Sequence, residues 1–252
     1  MTSRHTLNMN QQQRRAFLQA AGATAAVLVG SLPFAALAQT GGSAKLKIGT
    51  IGSGRVGSAI GGAWVKAGHE VMFSSLNLEA DQKLAASLGA GARAGTPREA
   101  AAFGAVLLVS VPYTALPGLG RDLGDLIKGK IIIDTSNPIV ARDGDMAVAA
   151  REKGAGIAST EFLPGARIVR AFNAIGAARM AEAASKSERV GMPIAGDDPD
   201  AISVASALIR EVGYEPVLVG TLAAMGKYLV PGTPLAGERS PEEIRKVAAS
   251  LK

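Results

Sequence analysis

Residues 47–67 read KIGTIGSGRVGSAIGGAWVKA, a short apolar run followed by glycines spaced G-x-G-x-x-G at Gly52, Gly54 and Gly57 and then a small-residue stretch. Few folds accommodate a strand, a tight glycine turn and a helix in that order. Gly52 permits the turn. Gly54 lets backbone approach a diphosphate whose charge rests on the positive end of the helix. Gly57 lets the helix press on the strand. Spaced glycines alone are a weak signal, and the competing reading is a packing turn without ligand. The predicted strand (45–51) before the motif and the predicted helix (54–67) after it supply the context the motif needs. Ser53, Arg55 and Val56 complete the candidate pyrophosphate loop, and Gly61 extends the small helix face.

The following chain keeps the same alternation. Predicted strands are EVMFSS, a short one near Ala92–Ala94, AVLLVSV (105–111), KIIIDTS (130–136), RIVRAF (167–172), MPIAGD (192–197) and EPVLVG (215–220). The continuous apolar runs at 105–111 and 130–136 suit strands covered on both faces. Helices are predicted over 79–88, 199–212 and near 222–229. Thr96-Pro97-Arg98-Glu99 and Ser240-Pro241-Glu242-Glu243 carry the Ser/Thr, Pro, Glu pattern of capped helix starts. These features predict an α/β fold, a doubly wound parallel sheet of about eight strands in one domain, 45–230, with a loop and helix over 231–252. No segment is long enough for a separate helical substrate domain.

The 252 residues contain no cysteine, which excludes disulfides and thiolate metal sites. The formal charge is +6, of which the leader supplies three arginines and no acid. The remaining surface is ordinary and has no basic run to suggest nucleic acid. Residues 1–38 combine Arg14-Arg15, an uncharged apolar run and Ala36-Leu37-Ala38, the pattern of a cleaved export signal. The paired arginines before Ala16-Phe17-Leu18 resemble the twin-arginine type, which implies transient contact with that export machinery and a periplasmic or secreted product. The expectation is cleavage after Ala38 and a linker over 39–44. The competing reading is a retained anchor, which Gly22, Thr24, Gly30, Ser31 and Pro33 argue against.

In such sheets ligands meet the carboxyl ends of the strands. A dinucleotide places its far ribose at the end of the second strand, where an acid usually accepts the hydroxyls of NAD. Here VMFSSLN (71–77) has no acid, and Glu79 falls two residues too late. Ser74, Ser75 and Asn77 are neutral donors suited to a 2′-phosphate. Arg55 offers a charge and a stacking plane, Lys83 a more distant charge, and the balance favours NADP over NAD. Three further strand ends carry distinctive residues: Ser110-Val111-Pro112-Tyr113, Asp134-Thr135-Ser136-Asn137-Pro138 and Ala171-Phe172-Asn173. Asp134 reads as a cap or turn residue.

Taken together, GTIGSGRVGSAI, VMFSSLN, VSVPYTAL, IIDTSNPI, VRAFNAIG and PIAGDD resemble the NADPH-dependent F420 reductase family, whose nucleotide-binding domain recurs in STEAP-type metalloreductases. The resemblance spans roughly residues 45–230. It implies NADP(H) binding and hydride exchange with a deazaflavin (F420) or a flavin. By motif it implies that Gly52, Ser53, Gly54, Arg55, Val56 and Gly57 bind pyrophosphate and that Ser75 and Asn77 hold the 2′-phosphate. Val111 and Pro112 would line the adenosine side, and Asn137, Pro138, Phe172 and Asn173 would lie near the nicotinamide. Leu76 departs from the family, which usually has Arg there, and so shifts the charge requirement to Arg55.

Of the two histidines, His5 lies in the leader and His69 in a helix–strand turn facing away from the expected cleft, where a structural role is expected. Hydride transfer needs no acid, base or metal from the protein, so no catalytic residue is assigned. The expected function is therefore an NADP-dependent oxidoreductase with a small-molecule redox acceptor. A non-catalytic NADP-binding module and a reductase of small imines or hydroxyacids are the alternatives. The apolar, Gly/Pro-rich tail suggests packing on a second copy in a homodimer.

Overall fold

The computed structural model describes residues 45–180 and 189–251; the export signal and linker expected over 1–44 lie outside the described residues. β1 (Lys47–Ile51) leads through the glycine loop into α1 (Arg55–Lys66), then β2 (Glu70–Ser74), α2 (Leu78–Leu88), β3 (Ala92–Ala94), α3 (Pro97–Phe103) and β4 (Val106–Val109). A 3-10 turn (Tyr113–Ala115) and α4 (Leu116–Ile127) precede β5 (Ile131–Asp134), α5 (Val140–Lys153), α6 (Ala155–Phe162) and β6 (Arg167–Arg170). The helical turn α7 (Ala177–Met180), β7 (Gly191–Gly196), α8 (Pro199–Val212), β8 (Glu215–Gly220), α9 (Leu222–Met225) and α10 (Pro241–Ser250) follow.

The strands form one sheet in the order β3-β2-β1-β4-β5-β6-β7-β8. The order reverses at β1, so the chain winds outward in both directions from the strand that carries the glycine loop. The uninterrupted apolar runs are explained by two covered faces. In β4, Val106 and Leu108 join one core while Leu107 and Val109 join the other. In β5, Ile131 and Ile133 face the first core and Ile132 the second. The first face is covered by Ile60 and Trp64 of α1 and by Ala201, Ala205, Leu208, Ile209 and Val212 of α8. Trp64 also donates its indole N–H to the Leu208 carbonyl at 2.9 Å, tying α1 to α8. On the second face Ala100 and Ala101 of α3, Leu116, Leu123 and Ile127 of α4, and Ile244 and Ala248 of α10 close the layer.

One expectation is corrected here. β1 to β6 are parallel, but β7 pairs antiparallel with β6 through Val169 with Gly196 and Arg170 with Ala195. β8 then pairs parallel with β7. A parallel neighbour requires a crossover that returns the chain to the opposite sheet edge, whereas an antiparallel one requires only a turn back. The β-α rhythm alone does not distinguish them. The tail is also used within its own chain: Leu229, Val230, Leu235 and Ile244 are buried in this body, and α10 packs on β7 and β8.

Candidate functional site

The carboxyl ends of β1, β2, β4, β5 and β6 share one edge of the sheet, and the glycine loop sits there. A Cβ on Gly52 (φ 96°) would lie 2.1 Å from the Ser110 carbonyl oxygen, and one on Gly57 would lie 2.0 Å from that of Gly52. These two glycines are required by packing. Gly54 differs, because a Cβ there would meet nothing within 4 Å. It is the N-cap of α1, exposed and without a capping side chain, and the first turn of α1 holds no acid. The leading N–H groups of a helix have no partner within it. Here they border open space at the positive end of a twelve-residue helix, which is the arrangement a diphosphate requires. Val56 is half-buried against the core, and the Arg55 side chain is exposed with no partner among the described residues.

The far-ribose corner departs from its sequence reading. Ser74 is fully buried and donates to the Thr50 carbonyl at 2.7 Å, so it lines the strand and not the pocket. Asn77 caps α2 by accepting from the Ala80 N–H at 3.0 Å. Ser75 receives the Asn77 N–H at 3.0 Å and donates to Asp81 Oδ2 at 2.8 Å. Ser53, in the glycine loop, donates to Asp81 Oδ1. The premise that no acid reaches this corner is thus overturned. Asp81 arrives from the first turns of α2 and is only 1% exposed. The relevant signal was an acid one helical turn past the N-cap Asn77, beyond the window read at the strand end.

On the other side of the loop, Val111 is half-buried, with its Cγ1 3.0 Å from where a Cβ of Gly52 would stand, and Pro112 is exposed beside it. The ends of β5 and β6 meet through their asparagines: Asn137 Nδ2 donates to the Asn173 carbonyl at 2.9 Å, and Asn173 Nδ2 donates to the Ser136 carbonyl at 3.2 Å. Asn137 Oδ1, Asn173 Oδ1 and Ser136 Oγ are buried without a hydrogen-bond partner. Three unmet polar atoms in one place are uncommon in a folded protein. Pro138 is buried, and its carbonyl accepts from Arg151 Nε at 2.8 Å. Phe172 is corrected: its ring is buried in the core edge-on to Tyr214, with centroids 6.1 Å apart. It also holds φ 64°, an unusual value for a bulky residue, at the bend that delivers Asn173.

Beneath these asparagines lies a buried ionic cluster the sequence reading missed. Asp134, read there as a cap or turn residue, is fully buried and pairs with Arg170 Nη1 at 2.6 Å. It also accepts from Ser159 Oγ and the Ser136 N–H, each at 2.8 Å. Arg170 Nη2 donates to the carbonyls of Ser136 (3.0 Å) and Leu229 (3.1 Å). The Tyr113 hydroxyl, pushed up to about 12 chiefly by burial, stays protonated and donates to the Ala155 carbonyl at 2.9 Å. Arg142 braces the same loop by donating to the Asn137 carbonyl at 2.8 Å while paired with Asp143. Burial would raise the Asp143 carboxyl, but Arg142 and the Ile139 N–H bring it below its ordinary value. His69 has the structural role expected of it, buried between the Leu46 N–H and Glu211.

The strand order and the glycine loop at the carboxyl edge of the sheet define a Rossmann-type fold. Residues 47–138 match the model of the family described as NADP oxidoreductase, coenzyme F420-dependent. The metalloreductase STEAP3 of Rattus norvegicus is 29% identical over 181 residues, 71% of this chain and 34% of that protein. The F420-dependent NADP reductase of Methanothermobacter thermautotrophicus is 28% identical over 180 residues, 66% of this chain and 77% of that one. A hypothetical protein of Sinorhizobium meliloti, solved by crystallography, superposes with a TM-score of 0.67 at 26% identity, covering 79% of this chain and 96% of that one. The chain spans about a third of the length of the metalloreductase it matches. The match over residues 47–138 is to the family that the motifs resemble.

Proposed function

We propose that this chain is an oxidoreductase that binds a nicotinamide dinucleotide, as the NADP(H)-binding family it resembles does, and exchanges hydride with a deazaflavin or flavin acceptor. The observation that carries the reading is the uncapped start of α1: Gly54 faces open space while Gly52 and Gly57 are packed to contact. The loop amides of residues 52–57 would hold the diphosphate. Asn137 and Asn173 join the ends of β5 and β6 at the same edge, where a nicotinamide would lie. When bound, a nicotinamide supplies or accepts the hydride itself, so the protein's task is to orient it and exclude water. The neutral, hydrogen-bonded loops at 136–138 and 171–174 suit that task. The deazaflavin or flavin acceptor comes from the family and from the name of the archaeal relative. Export by the twin-arginine route is a further part of the proposal and rests on residues 1–38 alone.

The test is to titrate the purified protein calorimetrically with NADP+ and NAD+ and then to follow NADPH and NADH oxidation with F420, FMN and ferric chelates. Turnover with a deazaflavin or flavin is the expected result. Binding without turnover on any acceptor would favour a cofactor-binding module instead, and absence of heat with either nucleotide would remove the oxidoreductase reading.

A further inference from the structure

We propose that Asp81 sets the dinucleotide preference of this chain, withholding the Ser53 and Ser75 hydroxyls from a 2′-phosphate at the far-ribose corner and so favouring NAD(H) over NADP(H). The proposal rests on the dinucleotide reading above and concerns the choice made at that same site. Asp81 is 1% exposed and joins the glycine loop to the exit of β2 by accepting from Ser53 Oγ and, at 2.8 Å, from Ser75 Oγ. That junction is where a dinucleotide fold meets the far ribose. A hydroxyl has one proton to donate, so neither serine can serve a phosphate while it serves Asp81. The carboxylate itself is buried, so it acts on a ligand through the two hydroxyls it holds and through its charge.

Residues 74–83 supply no compensating charge. Ser74 is turned into the sheet, and the Asn77 side-chain oxygen is occupied in capping α2. Leu76 is fully exposed and presents an apolar surface suited to an adenine face. Lys83 is paired with Glu79 at 2.6 Å on the outside of α2. Arg55 is the cation of the glycine loop, and it follows the loop's second glycine, whereas Asp81 is bonded to the loop itself. A 2′-phosphate placed at this corner would bring about two negative charges to a buried carboxylate, a like-charge contact weakly screened by solvent. NAD(H) avoids that contact.

The experiment is calorimetric titration of the full chain and its Asp81→Asn and Asp81→Ala variants with NAD+ and with NADP+. We expect the wild type to bind NAD+ at least as tightly as NADP+, and each variant to shift the affinity ratio tenfold or more toward NADP+. A wild type that prefers NADP+ tenfold, or a ratio unmoved in both variants, would overturn the assignment. Should either variant melt at a much lower temperature than the wild type, the wild-type ratio decides by itself. A wild type that binds neither nucleotide would instead overturn the reading of the site.

Discussion

Glycines of one motif serve different ends at the level of single residues, and substitution separates them. A Cβ at Gly54 has space and an ordinary φ of −64°, so Gly54→Ala should change stability by less than about 1 kcal/mol. Its methyl group would nevertheless occupy the approach of the diphosphate. We expect dinucleotide affinity to fall tenfold or more by calorimetry while the melting temperature stays close to the wild type's. Gly57→Ala should behave oppositely, because its Cβ would collide with the Gly52 carbonyl. An overpacking cost of about 1–3 kcal/mol is expected in urea unfolding, with binding lost as a consequence. The glycine spacing was legible in the sequence, since a motif of six residues reports on its own backbone. Asp81 was not, because its partner Ser53 is 28 residues away and only the fold brings them together.

Among the elements, helix starts were the most legible feature. Thr96 and Ser240 form the capping boxes their neighbours Glu99 and Glu243 announced. Asp198 caps α8 through the Ala201 N–H at 2.9 Å and also takes a two-pronged contact from Arg167 at the start of β6. The Arg167 hydrogen bond, ahead of a smaller opposing effect of burial, holds the Asp198 carboxyl down at about 2. A depressed carboxylate favours the folded state while ionised. Its contribution should be complete above the ordinary value near 4 and lost as pH falls toward about 2. Asp198→Asn keeps a capping oxygen and removes the charge. It should cost less than about 1 kcal/mol at neutral pH, because the pair is partly exposed. The difference from wild type should vanish near pH 2 in urea unfolding curves. Asp198→Ala should add about 1 kcal/mol for the lost cap.

At the scale of the whole molecule, the Asp134–Arg170 pair joins β5, β6, α6 and the tail at Leu229. Arg170→Met would leave Asp134 charged and buried without its partner, and we expect a loss of about 3–5 kcal/mol. The double variant Asp134→Asn/Arg170→Met should lose less than the sum of the two single changes, since no charge is then stranded. Trp64, the single tryptophan and fully buried between α1 and α8, provides the fluorescence signal for these unfolding curves. The same pair supports the Ser136 carbonyl to which Asn173 donates. Its removal should therefore weaken dinucleotide affinity in any variant that still folds.

The sequence by itself determined the elements that depend on near neighbours: the glycine turn between β1 and α1, the caps of α3, α8 and α10, and the apolar runs of β4 and β5 that demand cover on both faces. Those rules act over a handful of residues and can be read along the chain. Tertiary structure alone decided the reversed direction of β7, the inward turn of Ser74 and Phe172, the folding of the tail onto its own sheet and the arrival of Asp81 at the ribose corner. Each depends on groups far apart in the chain, Arg170 and Asp134 being 36 residues apart, and on the need of buried polar groups for partners that only a packed sheet supplies.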